Sequence, residues 1–549
     1  MDQNITGSDY VQESKTPLEG LDTQKRNSIT GDVYVQDHGA DTELRRLLST
    51  RHLTMIALGS SIGMGLWLGS GLSLVRGGPA GIFLGYCLSG AMIWSVAHSI
   101  GEMAVMYPLP SAFVQWTGKF IDPAAAFALG WAYYFSFAIT IANELAAANT
   151  IISFWTEKVP IAGWISIWLV VLVLINVGAV TVFGEVEVVC SLIKFSWIFV
   201  VILSMIVISA GGGPNHESVG FRYWNQDPFP NGFKGWLTVM PVCIFAMAGS
   251  ENAGLVAAET ANPRRAVPRA VGSIWLRLSL FYLLGSLMIT INVSPTDPDL
   301  FGQSGTNASP FVIAYRNAGI PTLAHMMNAI ILLSVISCGS ISIYAGARTA
   351  MGLAYLGMAP KQLKKADKLG RPWYGLVPVI LLGGGLAYLN VSNSGAEVFG
   401  WFSNLTSLYT LFGWGMICLS HIRFRAAWKL QGRQPSELPW KSWTYPYAAW
   451  FGFIMCALLI IVQFYLAVWP LGGGVTNAED FFANYVSVLV IIVLYVGAKI
   501  YYRGRRWVDI GTVDLDFGRR FYVDDADKEK GHKRGFVGGA KKAASLLFT

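Results

Sequence analysis

Twelve apolar blocks, most of them about twenty residues long, dominate this chain and leave it few folds to choose from. They lie near 53–75, 78–100, 124–154, 161–182, 187–209, 235–257, 271–293, 322–347, 374–391, 397–420, 446–469 and 482–502. A block of that length crosses a bilayer as a helix. In lipid the backbone finds no water, so each block must satisfy its own N–H and C=O groups. The third block is long enough to tilt or emerge from the membrane. The fold class that follows is an all-α polytopic membrane protein with about twelve transmembrane helices. A cytosolic tail (1–49), a transmembrane domain (50–502) and a second cytosolic tail (503–549) are the expected units.

Charge is scarce and unevenly placed. Only 13% of residues are charged, against roughly a quarter in soluble domains. The net charge of +7 comes from Lys and Arg clustered in alternate loops. One set holds Arg264, Arg265 and Arg269; Lys361, Lys364, Lys365, Lys368 and Arg371; and Arg423, Arg425, Lys429, Arg433 and Lys441. The other set offers only Arg76, Lys158, Arg222, Lys234 and Arg316. The positive-inside rule puts the first set and both termini in the cytosol. The sequons at Asn292, Asn307 and Asn390 then fall outside, whereas the one at Asn404 sits within a span and is expected to stay bare.

Basic loops of this kind carry none of the aromatic interleaving of a nucleic-acid module, so no nucleic-acid partner is expected. The N-terminal tail is too polar to fold alone, and its lysines Lys15 and Lys25 are candidate sites of ubiquitin ligation. The C-terminal tail opens with Arg503, Arg505 and Arg506, a placement that suits anionic membrane lipids. The six cysteines lie in apolar runs without CxxC spacing and read as packing residues. No histidine falls at the centre of a span, and no metal, cofactor or nucleophile set stands out, which argues against an enzyme.

Two of the blocks are interrupted. Gly59-Ser60-Ser61-Ile62-Gly63-Met64-Gly65 cuts the first, and Ala248-Gly249-Ser250-Glu251-Asn252-Ala253-Gly254 cuts the sixth. Glycine weakens a helix and lets backbone groups face a ligand. Matched breaks in two chain halves point to a solute site at the bilayer midplane. The helix after Gly65 would offer N–H groups to a carboxylate, while carbonyls before Gly63 and near Ala248 would face an ammonium. Close helix packing competes with this reading at the first break, because Gly59 and Gly63 also form a small-xxx-small pair.

Ionisable groups inside spans are costly and usually functional. Glu144 in the third span, Lys194 in the fifth and Glu251 in the second break are the candidates. Each has a plainer alternative: a structural hydrogen bond for Glu144, snorkelling for Lys194, a cap for Glu251. Glu102 and Glu259 stand at cytosolic edges, where a cap or ion pair is expected. Phe245, one turn before the second break, is placed to cover a bound solute, though a core or lipid-facing phenylalanine is the commoner fate.

Several stretches resemble the fungal amino acid permeases of the amino acid–polyamine–organocation superfamily. They are Arg51 to Gly59, Glu259 to Ala270, Gly220 to Trp224, Ser420 to Phe424 and Asp514 to Asp516, and the likeness extends over about residues 45 to 520. The resemblance implies a five-plus-five inverted repeat with broken helices one and six, and uptake of amino acids with protons across the plasma membrane. It assigns the first break to the substrate carboxylate and Phe245 to a gate. It puts Lys194 where sodium binds in sodium-coupled relatives, and it matches Glu144 to a glutamate common in the third span. The chain departs from the family pattern at Met64, Met247 and Asn252.

The expected site therefore comprises Ser60, Ser61, Gly63, Met64, Gly65, Phe245, Ala248, Gly249, Ser250 and Glu251, with Lys194 and Glu144 for coupling. Two rivals remain at this stage. A carrier of another organic cation, such as a polyamine, would leave the first-span N–H groups without an anion. An amino acid receptor would bind without net transport.

Overall fold

The computed structural model describes residues 55, 62–109, 111–178, 180–249, 251, 263–303, 308–367, 370–474, 477–502 and 507–519. Its elements in chain order are α1 (Met64–Trp67), α2 (Gly69–Met106), α3 (Ala112–Phe120), α4 (Pro123–Ser153), α5 (Ile161–Val177), α6 (Val180–Ser209), α7 (Arg222–Gln226) and α8 (Gly232–Met247). There follow α9 (Pro263–Arg277), a π-helical segment (Leu278–Leu284), α10 (Gly285–Asn292), α11 (Pro310–Asn317), α12 (Pro321–Tyr355), α13 (Trp373–Ala387), α14 (Gly395–Leu430), α15 (Tyr447–Val468) and α16 (Ala478–Tyr501).

Among the described residues, eight helices are long and apolar enough to cross a membrane, and three shorter apolar helices join them. The twelfth span comes from α2, which is two helices merged across a kink at Gly78. There φ is +71°, a backbone region that favours glycine. An added Cβ would press on the Pro230 ring and lie 2.7 Å from the Pro228 carbonyl. That carbonyl accepts the Ala80 N–H at 3.1 Å, which fixes the turn.

Local chemistry sets several boundaries. Asp122 caps α4, its carboxylate accepting the Ala124 N–H at 3.0 Å with Pro123 in the first turn. Ser394 and Asn477 cap α14 and α16 in the same way. At 35 and 36 residues, α12 and α14 reach ~50 Å, well beyond a ~30 Å hydrocarbon layer. Their last turns, past the expected ends at 347 and 420, therefore stand clear of the lipid. The short helices α3 and α11 were not expected; α3 packs most of its residues on the bundle, and α11 is buried from Pro310 to Tyr315.

Burial follows the same logic. Helix α4 runs through the middle, packed by α12, α13, α14 and α16, while α2 lies along α8. Leu174, Leu203, Leu381, Ile461 and Val493 point outward from α5, α6, α13, α15 and α16, as lipid-facing side chains must. Near the end of α2, Glu102 is buried; its Oε2 accepts from Arg425 at 3.1 Å and from the Ser442 N–H at 2.8 Å.

Residues 507–519, within the expected C-terminal tail, strap across the ends of α2, α3 and α14. Tyr107 donates to the Leu515 carbonyl at 2.7 Å, and Gln431 to that of Val513 at 2.7 Å. Arg433 grips both Asp516 oxygens, at 2.8 and 2.5 Å. Leu515 is buried in the main core, a gain of about 1.5–3 kcal/mol for a side chain of its size.

Candidate functional site

The start of α1 and the end of α8 meet at one cavity of about 50 Å³. Gly63 and Gly65 line one side, and Phe245, Ala246, Ala248, Gly249 and Glu251 another. Helix α4 adds Tyr133, Ser136, Thr140 and Glu144; α12 adds Cys338 and Ser342; α14 adds Thr406 and Thr410. Among the described residues no lysine, arginine or histidine lines it, and the charged groups they place on its wall are two carboxylates.

Gly63 precedes α1 in extended backbone. The first N–H of that helix, on Met64, is not open to the cavity: both Glu144 oxygens lie 3.3 Å from it. Glu144, 2% exposed, thus occupies the place where the sequence suggested a substrate carboxylate. A methyl group on Gly63 would sit 2.6 Å from Glu144 Oε1 and 2.8 Å from Cys338 Sγ. Gly65 is tighter still, because a Cβ there would lie 2.6 Å from the Ala246 Cα. Glycine at both positions is what lets α1 approach Glu144 and α8 so closely.

At the other wall α8 stops at Met247. Gly249 turns the chain with φ at +91°, and its N–H donates to Glu251 Oε2 at 3.0 Å. The carbonyl of Ala246 is taken by Tyr282, at 2.7 Å. Tyr133 and Trp414 face the Glu251 carboxylate, but neither side chain closes a hydrogen bond of good geometry. These are buried donors with spare capacity beside the cavity.

Lys194 stands behind the first wall, not on it. Fully buried, it donates to the Ile62 carbonyl at 3.4 Å. The same carbonyl accepts Ser334 Oγ at 2.7 Å, and Ser334 in turn accepts from Trp67 Nε1 at 3.0 Å. The lysine charge acts on Glu144 and also on Glu187, a buried carboxylate held by Ser337 at 2.6 Å. A buried ammonium needs such compensation. Part of it comes from the Ile62 carbonyl, from Glu144 on α4 and from Glu187, two turns back on the lysine's own helix α6.

An aromatic layer closes the cavity toward the end of the bundle that carries Arg76. Phe245 packs edge-on against Phe399 at 5.8 Å, and Phe399 against Phe301 at 5.5 Å. Trp67 does the same with Phe311 at 5.0 Å. All five rings are buried.

Of the residues expected from sequence, Gly63, Gly65, Glu144, Phe245, Ala248, Gly249 and Glu251 share this cavity. Met64 supplies the N–H held by Glu144. Ser60, Ser61 and Ser250 lie outside the described residues. Sequence reasoning missed Glu187, which it placed at the very edge of a span, and the hydroxyls of Tyr133, Thr406 and Thr410. A polar residue recurring one turn apart, as at Thr406 and Thr410, was the available signal.

A polytopic helical bundle with a cavity where the start of α1 meets the end of α8 fits a membrane transporter, and the comparisons give its family. Residues 52–509 match the amino acid permease family, and the chain belongs to that family. It is 40% identical over 483 residues to the amino-acid permease GAP3 of Candida albicans, covering 87% of this chain and 80% of that one. Over 499 residues it is 38% identical to the cationic amino acid transporter 1 of Schizosaccharomyces pombe, covering 89% and 84%. Its fold resembles the crystal structure of a mutant manganese transporter from Eremococcus coleocola, with a TM-score of 0.53. That pair is 14% identical and covers 83% of this chain and 94% of the other, so the likeness speaks for the fold alone.

Proposed function

We propose that this chain imports L-amino acids across the plasma membrane together with protons, with both termini in the cytosol. The two interrupted helices hold the substrate, with Ser60, Ser61, Gly63, Met64 and Gly65 on one side and Phe245 and Ala248 to Glu251 on the other. The observation that carries the reading is Glu144 sitting on the Met64 N–H, with 3.3 Å to each oxygen. A substrate carboxylate and an ionised Glu144 compete for the same donor and repel each other. Protonating Glu144 removes that repulsion and frees the N–H, so a proton and a substrate favour one another's binding. The substrate ammonium then faces Glu251 and the hydroxyls of Thr406 and Thr410.

Lys194 serves as the fixed charge that braces the first break through Ile62 and balances Glu187. On this orientation the aromatic layer of Phe245, Phe399 and Phe301 faces the outside and is shut. With about 100 mV across the membrane, inside negative, each proton carried inward adds about 2.3 kcal/mol. That exceeds a tenfold concentration ratio.

Uptake of the common amino acids, one at a time, in cells lacking their own permeases is the test. Accumulation should rise as external pH falls and collapse with a protonophore. In Glu144→Gln, uptake should persist only downhill and lose its pH dependence. Wild-type accumulation that survives the protonophore and follows external sodium would overturn the coupling. Uptake of polyamines alone would overturn the substrate.

A further inference from the structure

A second and larger cavity, of about 410 Å³, opens between α8, α14, α15 and α16 at the end of the bundle that carries Arg76. Helices α8 and α14 line both cavities. Phe245 and Thr406 face the central one, while Pro241, about a turn away on α8, and Asn404, about half a turn away on α14, face this one. Its volume lies in the range of small-ligand sites, roughly 300–1,000 Å³.

The charges in it are arranged unusually. Arg76 is partly buried, and among the described residues its guanidinium makes no hydrogen bond or ion pair and no carboxylate offsets its charge. Glu397 and Asp480 line the same cavity but are exposed, and neither reaches Arg76. Asn404 and Gln463 also line it, the latter with a buried Nε2 that has no partner among the described residues. Each acid has a local reason to be where it is, in the first turn of α14 or α16, where a negative charge suits the helix. That reason does not explain a guanidinium left uncompensated beside them, which is costly.

We propose that this cavity is a second binding site for a free α-amino acid, with the carboxylate on Arg76 and the ammonium at Glu397 and Asp480. A zwitterion spans the two charge groups that cannot reach each other directly. Because α8 and α14 form walls of both cavities, an occupant here braces the segment bearing Phe245. A phospholipid headgroup has similar chemistry, with a phosphate in place of the carboxylate, so the test must separate the two sources.

Tritiated L-leucine, L-lysine and L-glutamate would each be titrated onto the purified full-length chain in detergent. We expect at least one of them to reach two equivalents per chain. Arg76→Gln should weaken the second equivalent at least tenfold. Gly400→Leu should abolish it by filling the cavity, since a Cβ on Gly400 meets nothing within 4 Å. In both variants the first equivalent and the thermal midpoint should stay unchanged. One equivalent in the wild type, or two that survive both substitutions, overturns the second site. If that single equivalent comes with normal uptake, the transport reading stands; no binding and no uptake overturns both. Native mass spectrometry supplies the other arm, in which phosphatidylethanolamine retained by the wild type and lost from Arg76→Gln overturns the amino acid as occupant.

Discussion

Replacing Gly65 with alanine tests how closely α1 and α8 must meet. The added Cβ would lie 2.6 Å from Ala246 Cα, 2.9 Å from its Cβ and 3.0 Å from its N. Carbon atoms rest at about 3.5–4.0 Å, so α1 must lift away from α8 by roughly 1 Å. No rotamer change relieves this, because the obstacle is backbone, and Tyr282 pins that backbone through the Ala246 carbonyl at 2.7 Å. Overpacking of this kind costs about 1–3 kcal/mol. If the cost falls on the closed arrangement around the cavity, its population drops between about fivefold and more than a hundredfold. The assay is initial uptake of the preferred amino acid in permease-deficient cells, divided by surface protein from biotinylation. We expect at least a fivefold loss with surface protein within a factor of two. Gly63→Ala should fare differently, since its new contacts are Glu144 Oε1 and Cys338 Sγ, side-chain atoms that can swing aside. Gly497→Ala, with open space around the new Cβ, is the control. Wild-type uptake and KM in Gly65→Ala would refute the close-approach argument.

Four further outcomes are expected. Lys194→Met should abolish uphill accumulation while substrate binding remains, measured by radioligand binding beside uptake; normal accumulation would make the lysine merely structural. Leu515→Ala should open the C-terminal strap by about thirtyfold or more, from the ~2 kcal/mol lower bound for deleting a buried leucine, read as faster trypsin cleavage after Arg519. The guanidinium groups of Arg433 and Arg519 hold the Asp516 carboxyl down at about 2. With a depressed folded pKa its contribution is complete above about pH 4 and fades as pH falls toward 2, so strap protection should be flat from pH 5 to 8 and decline only below that window. On topology, an N-terminal tag should resist protease on intact cells, and any glycan should sit on Asn307, whereas Asn404, whose amide donates to Asn484, should carry none.

What the sequence by itself determined is whatever lipid enforces residue by residue. Apolar length placed the twelve spans, the glycine clusters marked where α1 begins and α8 ends, and charge within apolar runs singled out Glu144, Lys194 and Glu251. Each of these follows from the cost of an unsatisfied or charged group in hydrocarbon, which is a local property. Only the tertiary structure decided what those groups meet. Glu144 lies 80 positions from the Met64 N–H it holds, and Tyr107 lies 408 from the Leu515 carbonyl. Glu187 looked like a span boundary until α6 proved to begin at Val180, which carries that carboxylate two turns inward. The cavity beside Arg76 needs α2 and α8 to meet the run α14 to α16, which lies far from them in sequence. Helix packing in a membrane has no hydrophobic force to advertise itself by periodicity. Partners are therefore set by side-chain shape and hydrogen bonds across the bundle, which no single stretch of sequence displays.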